Sequence, residues 1–292
     1  MKKIGIIGVG SVGGAIASRL VALETAREIV LIDTDGERVR AAAMDLIHAA
    51  AFGTGVKITA GKYRDLSDAD VVVISAGANQ KPGQTRADLI AANAGVMIDI
   101  VPKIMAAVDK RKVKIVVVSN PLDSIVMAVR KLSGLPPERV IGTGTMLDTA
   151  RLRAMLGEVF DISPASVGDF VLGEHGDSSF VYLTGALKIS ATNKNKITLA
   201  VRNAAYEIIK GRGATWDGIA AAATDLIRAI LNDERRVLPV SIVDKRGVAY
   251  SLPRVVSAAG ATETMAPDFT AADRAALSAS INAIKKTYRT IE

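Results

Sequence analysis

The pattern of apolar runs in this chain predicts an α/β fold: a doubly wound parallel sheet in the first half and a second, α+β layer after it. Three observations carry that prediction. Short β-branched runs without polar alternation recur at residues 4–7, 29–32, 71–75, 115–118 and 140–141, the pattern of strands covered on both faces. Amphipathic stretches at 12–24, 37–49, 86–108 and 122–132 separate them, and strand–helix alternation with short connections implies right-handed crossovers and parallel pairing. Beyond residue 145 the alternation stops.

Each element has local punctuation. Asn120-Pro121 opens one helix, and Ser133-Gly134 followed by Pro136-Pro137 closes it. In the second half, 145–160, 197–210, 216–232 and 271–291 read as helices. Residues 167–172, 180–183, 237–243 and 248–251 read as strands. The chain has 292 residues, about twice a typical domain. The change of rhythm near 142–145 divides it into 1–143 and 144–292.

Composition excludes several chemistries. There is no cysteine and there are only two histidines, His48 and His175, so disulfides, thiolate sites and His-rich metal sites are ruled out and no metal is expected. The net charge of +7 raises the question of nucleic acid. The densest basic cluster, Lys110, Arg111, Lys112 and Lys114, has no interleaved aromatics, and with 4% aromatic residues stacking platforms are lacking. Nucleic acid is therefore not expected. The longest uncharged run, 4–18, is 15 residues, short of the ~20 that span a bilayer, so no membrane partner is expected. Met1-Lys2-Lys3 before an apolar run mimics a secretory signal, but five glycines make a poor signal core. The chain reads as mature and cytoplasmic.

Gly8-Val9-Gly10-Ser11-Val12-Gly13 follows the first strand and opens the first helix. Gly8 permits the tight turn, Gly10 lets a pyrophosphate approach the backbone, and Gly13 allows close packing of helix on strand. The second strand ends in Asp33, placed to accept the ribose hydroxyls of an adenosine and to repel a 2′-phosphate. This is a Rossmann-type signature with NAD favoured over NADP. His175, in Gly173-Glu174-His175-Gly176-Asp177, is a candidate proton donor and Asp148, in Leu147-Asp148-Thr149-Ala150-Arg151, a candidate carboxylate partner for it, with Arg151 three residues on and on the same helix face as Asp148. Spacing alone does not bring residue 148 to residue 175.

Taken together with Gly77-Ala78-Asn79-Gln80-Lys81-Pro82-Gly83-Gln84-Thr85-Arg86, Ser119-Asn120-Pro121 and Gly142-Thr143-Gly144-Thr145-Met146, these motifs resemble the L-lactate/malate dehydrogenase family in order and spacing across nearly the whole chain. The resemblance implies a Rossmann NAD-binding domain (1–143) and an α+β substrate domain (144–292). It implies His175 as general acid/base, Asp148 as its partner and Arg86 as the lid arginine that polarises the carbonyl. Arg151, Asn120, Gln80 and Thr215 would bind substrate. Gly8, Gly10, Val12, Gly13, Asp33, Ala76, Gly77 and Asn120 would bind NAD. Residues 78–86 would form a lid that excludes water.

Within the family, the residue at Gln80 separates substrates. An arginine there would pair the second carboxylate of oxaloacetate, whereas glutamine leaves it unpaired in a dry site. The expected reaction is reversible reduction of pyruvate to L-lactate, at the fermentative end of glycolysis. Malate dehydrogenase and a broader branched-chain L-2-hydroxyacid dehydrogenase remain as alternatives. Thr215 and Glu174 lean toward lactate. Gln84 stands where glutamate is usual, Trp216-Asp217 is an uncommon pair beside the pocket, and the stretches 177–196 and 244–251 are short. Gly168 replaces the anion-binding histidine of sugar-bisphosphate-activated members, which counts against activation by fructose 1,6-bisphosphate although Arg153 matches their arginine. The family also implies a homo-oligomer, tetramer or dimer, with the alanine-rich 41–44 helix as a packing surface.

Overall fold

The computed structural model describes residues 2–78, 86–265 and 267–290, with residues 86–88 as backbone only. The first half is strands β1 (Lys3–Ile7), β2 (Glu28–Ile32), β3 (Lys57–Ala60), β4 (Val71–Ile74), β5 (Lys114–Val117) and β6 (Val140–Gly142). Helices α1 (Ser11–Ala22), α2 (Gly36–Ala50), α3 (Arg86–Ala107) and α4 (Leu122–Ser133) connect them. The strands pair in parallel in the order β3-β2-β1-β4-β5-β6. Every residue of β1 and β4 is buried, which is why their sequences lack polar alternation.

Side chains leave the sheet on alternate faces and feed two cores. Ile4, Ile6, Leu31, Val71 and Val73 pack with Ile16 and Leu20 of α1. Ile7, Val30, Val72 and Ile74 pack with Met97 and Ile104 of α3 and Ile125 of α4. Over Leu89–Ala107, α3 is long and apolar enough by composition to cross a membrane. In the fold its Met97, Val101 and Ile104 are fully buried against the sheet. α4 ends where Ser133-Gly134 predicts, with Gly134 left-handed at φ 66°.

The second half comprises α5 (Met146–Phe160), β7 (Phe170–Leu172), β8 (Phe180–Tyr182), α6 (Ala191–Arg212), α7 (Asp217–Leu231), β9 (Arg236–Val243), β10 (Ala249–Ser257), β11 (Gly260–Thr264) and α8 (Ala271–Tyr288). The hairpin β7–β8 packs with α5 and α6 around Leu152, Leu156, Val171, Val181 and Val201. Strands β9, β10 and β11 are antiparallel and join the parallel strands at Gly142–Ser241, giving one nine-stranded sheet.

The structure departs from the sequence pattern in five places. β3 is a short, half-exposed edge strand whose four residues give no clear periodicity. β10 runs beyond residue 251 through Pro253, which lies opposite Pro239 of β9; two facing prolines ask no N–H of each other. β11, Gly-Ala-Thr-Glu-Thr, carries no apolar alternation and exists through its pairing with β10. α6 starts six residues before 197, because Ser190 accepts a hydrogen bond from the Asn193 N–H at 3.2 Å and caps a polar first turn. The predicted strand at 167–172 is a strand only from Phe170, after a short 3₁₀ turn.

The junction of the parallel and antiparallel parts depends on Gly144. Its φ is +55°, and a Cβ there would lie 2.6 Å from the Pro239 carbonyl oxygen and 2.8 Å from the Ser241 nitrogen, both backbone. Gly144→Ala is expected to destabilise the fold by about 2–4 kcal/mol, read as a lowered urea midpoint.

Candidate active site

The carboxyl ends of the parallel strands lie at one edge of the sheet. Gly8 follows β1, Asp33 follows β2, Ala76 and Gly77 follow β4, Asn120 follows β5, and Asp148 lies at the start of α5 after β6. The strand order reverses direction between β1 and β4, and a crevice at such a switch point is where doubly wound sheets bind ligands.

The glycine loop is built for close approach. Gly8 has φ +92°, and a Cβ on it would meet the Ala76 nitrogen at 2.5 Å. A Cβ on Gly13 would lie 2.0 Å from the Gly8 carbonyl oxygen and 2.7 Å from Ser75 Oγ. Gly10 is the opposite case, since nothing lies within 4 Å of where its Cβ would be. Gly10 is also the N-cap of α1, which has no side-chain cap and no acidic residue in its first turn. Open space, backbone N–H groups and a positive helix end coincide there, which fits the pyrophosphate of NAD. Val12 packs against the core from that first turn. Asp33 accepts hydrogen bonds from the Val9 N–H at 2.6 Å and the Asp35 N–H at 3.0 Å. Oδ1 also accepts from the Thr34 hydroxyl at 3.4 Å, so it is Oδ2, bonded among the described residues to Val9 alone, that keeps a further lone pair for a ribose hydroxyl.

Ala76 is held by Ser119, whose Oγ donates to its carbonyl at 2.6 Å. Asn93 of α3, 3% exposed, accepts from the Ala78 N–H at 2.6 Å and donates to the Asn120 carbonyl at 2.8 Å. It thereby ties the loop after β4 to the loop after β5. Sequence reasoning missed Asn93; the signal available was an amide among the apolar residues of α3.

On the other side of the crevice, His175, Asp148 and Arg151 form one hydrogen-bonded chain. His175 Nδ1 lies 2.7 Å from Asp148 Oδ2, and Arg151 Nη1 donates to Asp148 Oδ1 at 2.9 Å. Asp148 and Arg151 come together because they are three residues apart on α5. His175 reaches them across 27 residues of chain, through a loop held on several sides. Gly173 pairs with Ser251 of β10 by two backbone hydrogen bonds, of 3.0 and 2.8 Å. Glu174 accepts from the Ser178 hydroxyl, and Ser280 of α8 accepts from the Glu174 N–H at 3.2 Å. Below the loop, Asp123 of α4 accepts from the His175 backbone N–H at 2.8 Å and from Ser241 Oγ at 2.6 Å. Asp123 was also missed, because an acid in the first turn of a helix reads as an ordinary capping charge.

Burial and charge set the protonation states. Burial works against the Asp148 carboxylate, but the His175 and Arg151 charges and their hydrogen bonds outweigh it and hold its pKa below the usual range. Burial also lowers the His175 pKa, but the charge and hydrogen bond of Asp148, with the charge of Asp123, outweigh it and raise the pKa above the ordinary value. Among the described residues Arg151 makes no other hydrogen bond, so its remaining N–H groups are free to take an anion.

Thr215 lies half-buried between α6 and α7. There Gly218 approaches Leu147, the neighbour of Asp148, so closely that an added Cβ would lie 2.8 Å from Leu147 Cδ1. Arg212 stacks over Trp216 at 4.2 Å and pairs with Asp217 at 2.8 Å. Arg86 opens α3; its side chain and all of Gln80 lie outside the described residues, as do residues 79–85 of the expected 78–86 lid.

Comparison with known proteins agrees with this arrangement. The family model described as lactate/malate dehydrogenase, NAD binding domain, matches residues 2–142, and the lactate/malate dehydrogenase alpha/beta C-terminal domain matches residues 145–292. The L-lactate dehydrogenase of Thermus aquaticus is 41% identical, with 97% of each chain covered, and that of Allorhizobium ampelinum is 40% identical at the same coverage. Among solved structures, the lactate dehydrogenase MGS-M5 from a Medee basin deep-sea metagenome library superposes with a TM-score of 0.95 at 36% identity, covering 99% of this chain and 98% of that one. The minor L-lactate dehydrogenase of Enterococcus mundtii gives 0.94 at 35% identity, covering 100% and 98%. With the open helix start at Gly10 and the imidazole–carboxylate–guanidinium chain at the same sheet edge, the chain belongs to the lactate/malate dehydrogenase family and is an NAD-dependent oxidoreductase.

Proposed function

We propose that the enzyme is an L-lactate dehydrogenase that interconverts pyruvate and L-lactate. The observation that carries this reading is the bridge at Asp148, which engages His175 and Arg151 at once. Bound NADH supplies the hydride that reduces C2 of the 2-oxo acid. Asp148 fixes the proton on His175 Nδ1, so Nε2 faces the substrate. As imidazolium, His175 gives the Nε2 proton to the carbonyl oxygen as charge develops there, and in the reverse direction neutral Nε2 takes the hydroxyl proton. Arg151 binds the substrate carboxylate in two parallel hydrogen bonds, the geometry that a guanidinium favours. The family resemblance assigns Arg86 to carbonyl polarisation, Asn120 to substrate and cofactor alignment, and Gln80 and Thr215 to the distal end of the substrate.

The choice of pyruvate over oxaloacetate rests on Gln80, which brings no cation to a second carboxylate, and agrees with the name L-lactate dehydrogenase borne by the relatives above. We assign residues 1–143 to the cofactor and 144–292 to the substrate. The same reading makes the chain a cytoplasmic homo-oligomer, tetramer or dimer, and the exposed Met44 and Ile47 of α2 supply an apolar surface for it.

The test is NADH oxidation with pyruvate, oxaloacetate and 2-oxoisocaproate side by side. Pyruvate is expected to give the highest kcat/KM; a tenfold preference for oxaloacetate would sink the assignment. Gln80→Arg is expected to move relative kcat/KM toward oxaloacetate by on the order of tenfold or more, since the distal carboxylate gains its counter-charge. Asp148→Asn is expected to lower kcat for pyruvate reduction by about 10²–10⁴-fold, through loss of the charge that supports the imidazolium. The pH dependence follows from the raised pKa of His175. Reduction needs the protonated ring, so its kcat/KM is expected to be full at acid to neutral pH and to fall as pH rises through a midpoint above 6.5. Lactate oxidation should show the opposite limb.

A further inference from the structure

His175 is gripped by a second carboxylate that the family motifs do not assign. Asp123 is 3% exposed and touches His175 through the backbone, whereas Asp148 touches the ring. One of its oxygens takes the His175 N–H at 2.8 Å and the other takes the Ser241 hydroxyl at 2.6 Å. Ser241 is the residue of β9 that pairs with Gly142 of β6. Asp123 therefore pins the histidine loop to the seam where the parallel and antiparallel parts of the sheet meet.

We infer that Asp123 is a positioning residue for the proton-transfer step: it fixes the His175 backbone against β9, and its buried negative charge supports the imidazolium from below. This rests on His175 acting as the proton donor. The argument for the charge is one of chemistry. Hydrogen bonding alone would be met by asparagine, whose carbonyl could accept from the His175 N–H while its amide donated to Ser241 Oγ. A carboxylate in the same place must be desolvated, and burial pushes the Asp123 pKa up to about 6 against the hydrogen bonds from Ser241 and the His175 N–H and the His175 charge. A folded pKa above the unfolded value means that this group favours folding below about pH 4 and that the contribution is lost as pH rises through about 6. At neutral pH the fold thus carries an ionised buried acid at a stability penalty. The group that gains is the imidazolium.

The charges acting on His175 come from three elements. Asp148 and Arg151 lie on α5 and Asp123 on α4, while Glu174, before the histidine in the third element, its own loop, acts on Asp123 and raises its pKa. Arg151 disfavours the imidazolium and Asp148 favours it. Asp123 is the second carboxylate on the favouring side.

The experiment titrates His175 directly. In a His48→Gln background His175 is the chain's one histidine, and its ring proton shift reports its pKa by NMR in the holoenzyme without any turnover. Asp123→Asn is expected to lower that pKa by about half a unit to one unit and to move the alkaline limb of 2-oxo acid reduction by the same amount, with NADH affinity by fluorescence unchanged. Asp123→Ala removes the anchor as well and is expected to lower kcat about tenfold further, which asparagine rescues. A titration that superimposes on that of the parent overturns the proposal, and so does a loss confined to NADH binding or Tm. Failure of the lactate assignment would appear separately, as a preference for oxaloacetate or no turnover of any 2-oxo acid, with the NMR shift still present.

Discussion

Asp148 bonds to His175 and Arg151 at once, and the arrangement of the site depends on that double engagement. Its side chain is 9% exposed, so an unpaired carboxylate there would be strongly disfavoured. Pairing with His175 and Arg151 keeps it ionised, and in return it holds one imidazole tautomer and one guanidinium orientation. Loss of Asp148 would leave the imidazole and the guanidinium side by side without a counter-charge in a sheltered crevice, so the three behave as a unit rather than as three separate contributions.

The sheet makes that unit useful. Parallel strands end at the same edge, so the glycine loop, Asp33 and the start of α5 are delivered to one crevice although they are far apart in sequence. Crowding at Gly8 and Gly13 locks the loop against the strands, while the open space at Gly10 leaves room for a cofactor. Asn93, Ser119 and Asp123 do related work behind the crevice. Each is a buried polar side chain bonded to the backbone of a loop that carries a site residue. Such bonds fix loop positions that packing of apolar side chains leaves loose.

The continuous sheet also couples the two halves. Ser241 lies opposite Gly142 in the pairing and bonds to Asp123, which bonds to His175. The histidine loop is therefore referenced to the same framework as the cofactor loop. That arrangement suits a reaction in which hydride and proton must reach adjacent atoms of one substrate.

Local patterns were enough to read the parallel strands β1, β2, β4, β5 and β6, the helices between them, the glycine loop and Asp33, because each is a short-range feature of periodicity and turn chemistry. Family motifs named His175, Asp148 and Arg151, yet no local rule joins residue 148 to residue 175. Edge strands β3 and β11, the passage of β10 through Pro253, and the continuation of the sheet across Gly142–Ser241 depend on partners distant in the chain. The same holds for Asn93 and Asp123, whose roles exist only once burial removes water and leaves backbone N–H groups from other elements as their partners. Sequence alone determined which segments could be strand, helix or phosphate loop; tertiary structure decided which polar groups meet, since hydrogen bonds and buried charges take their meaning from neighbours that folding supplies.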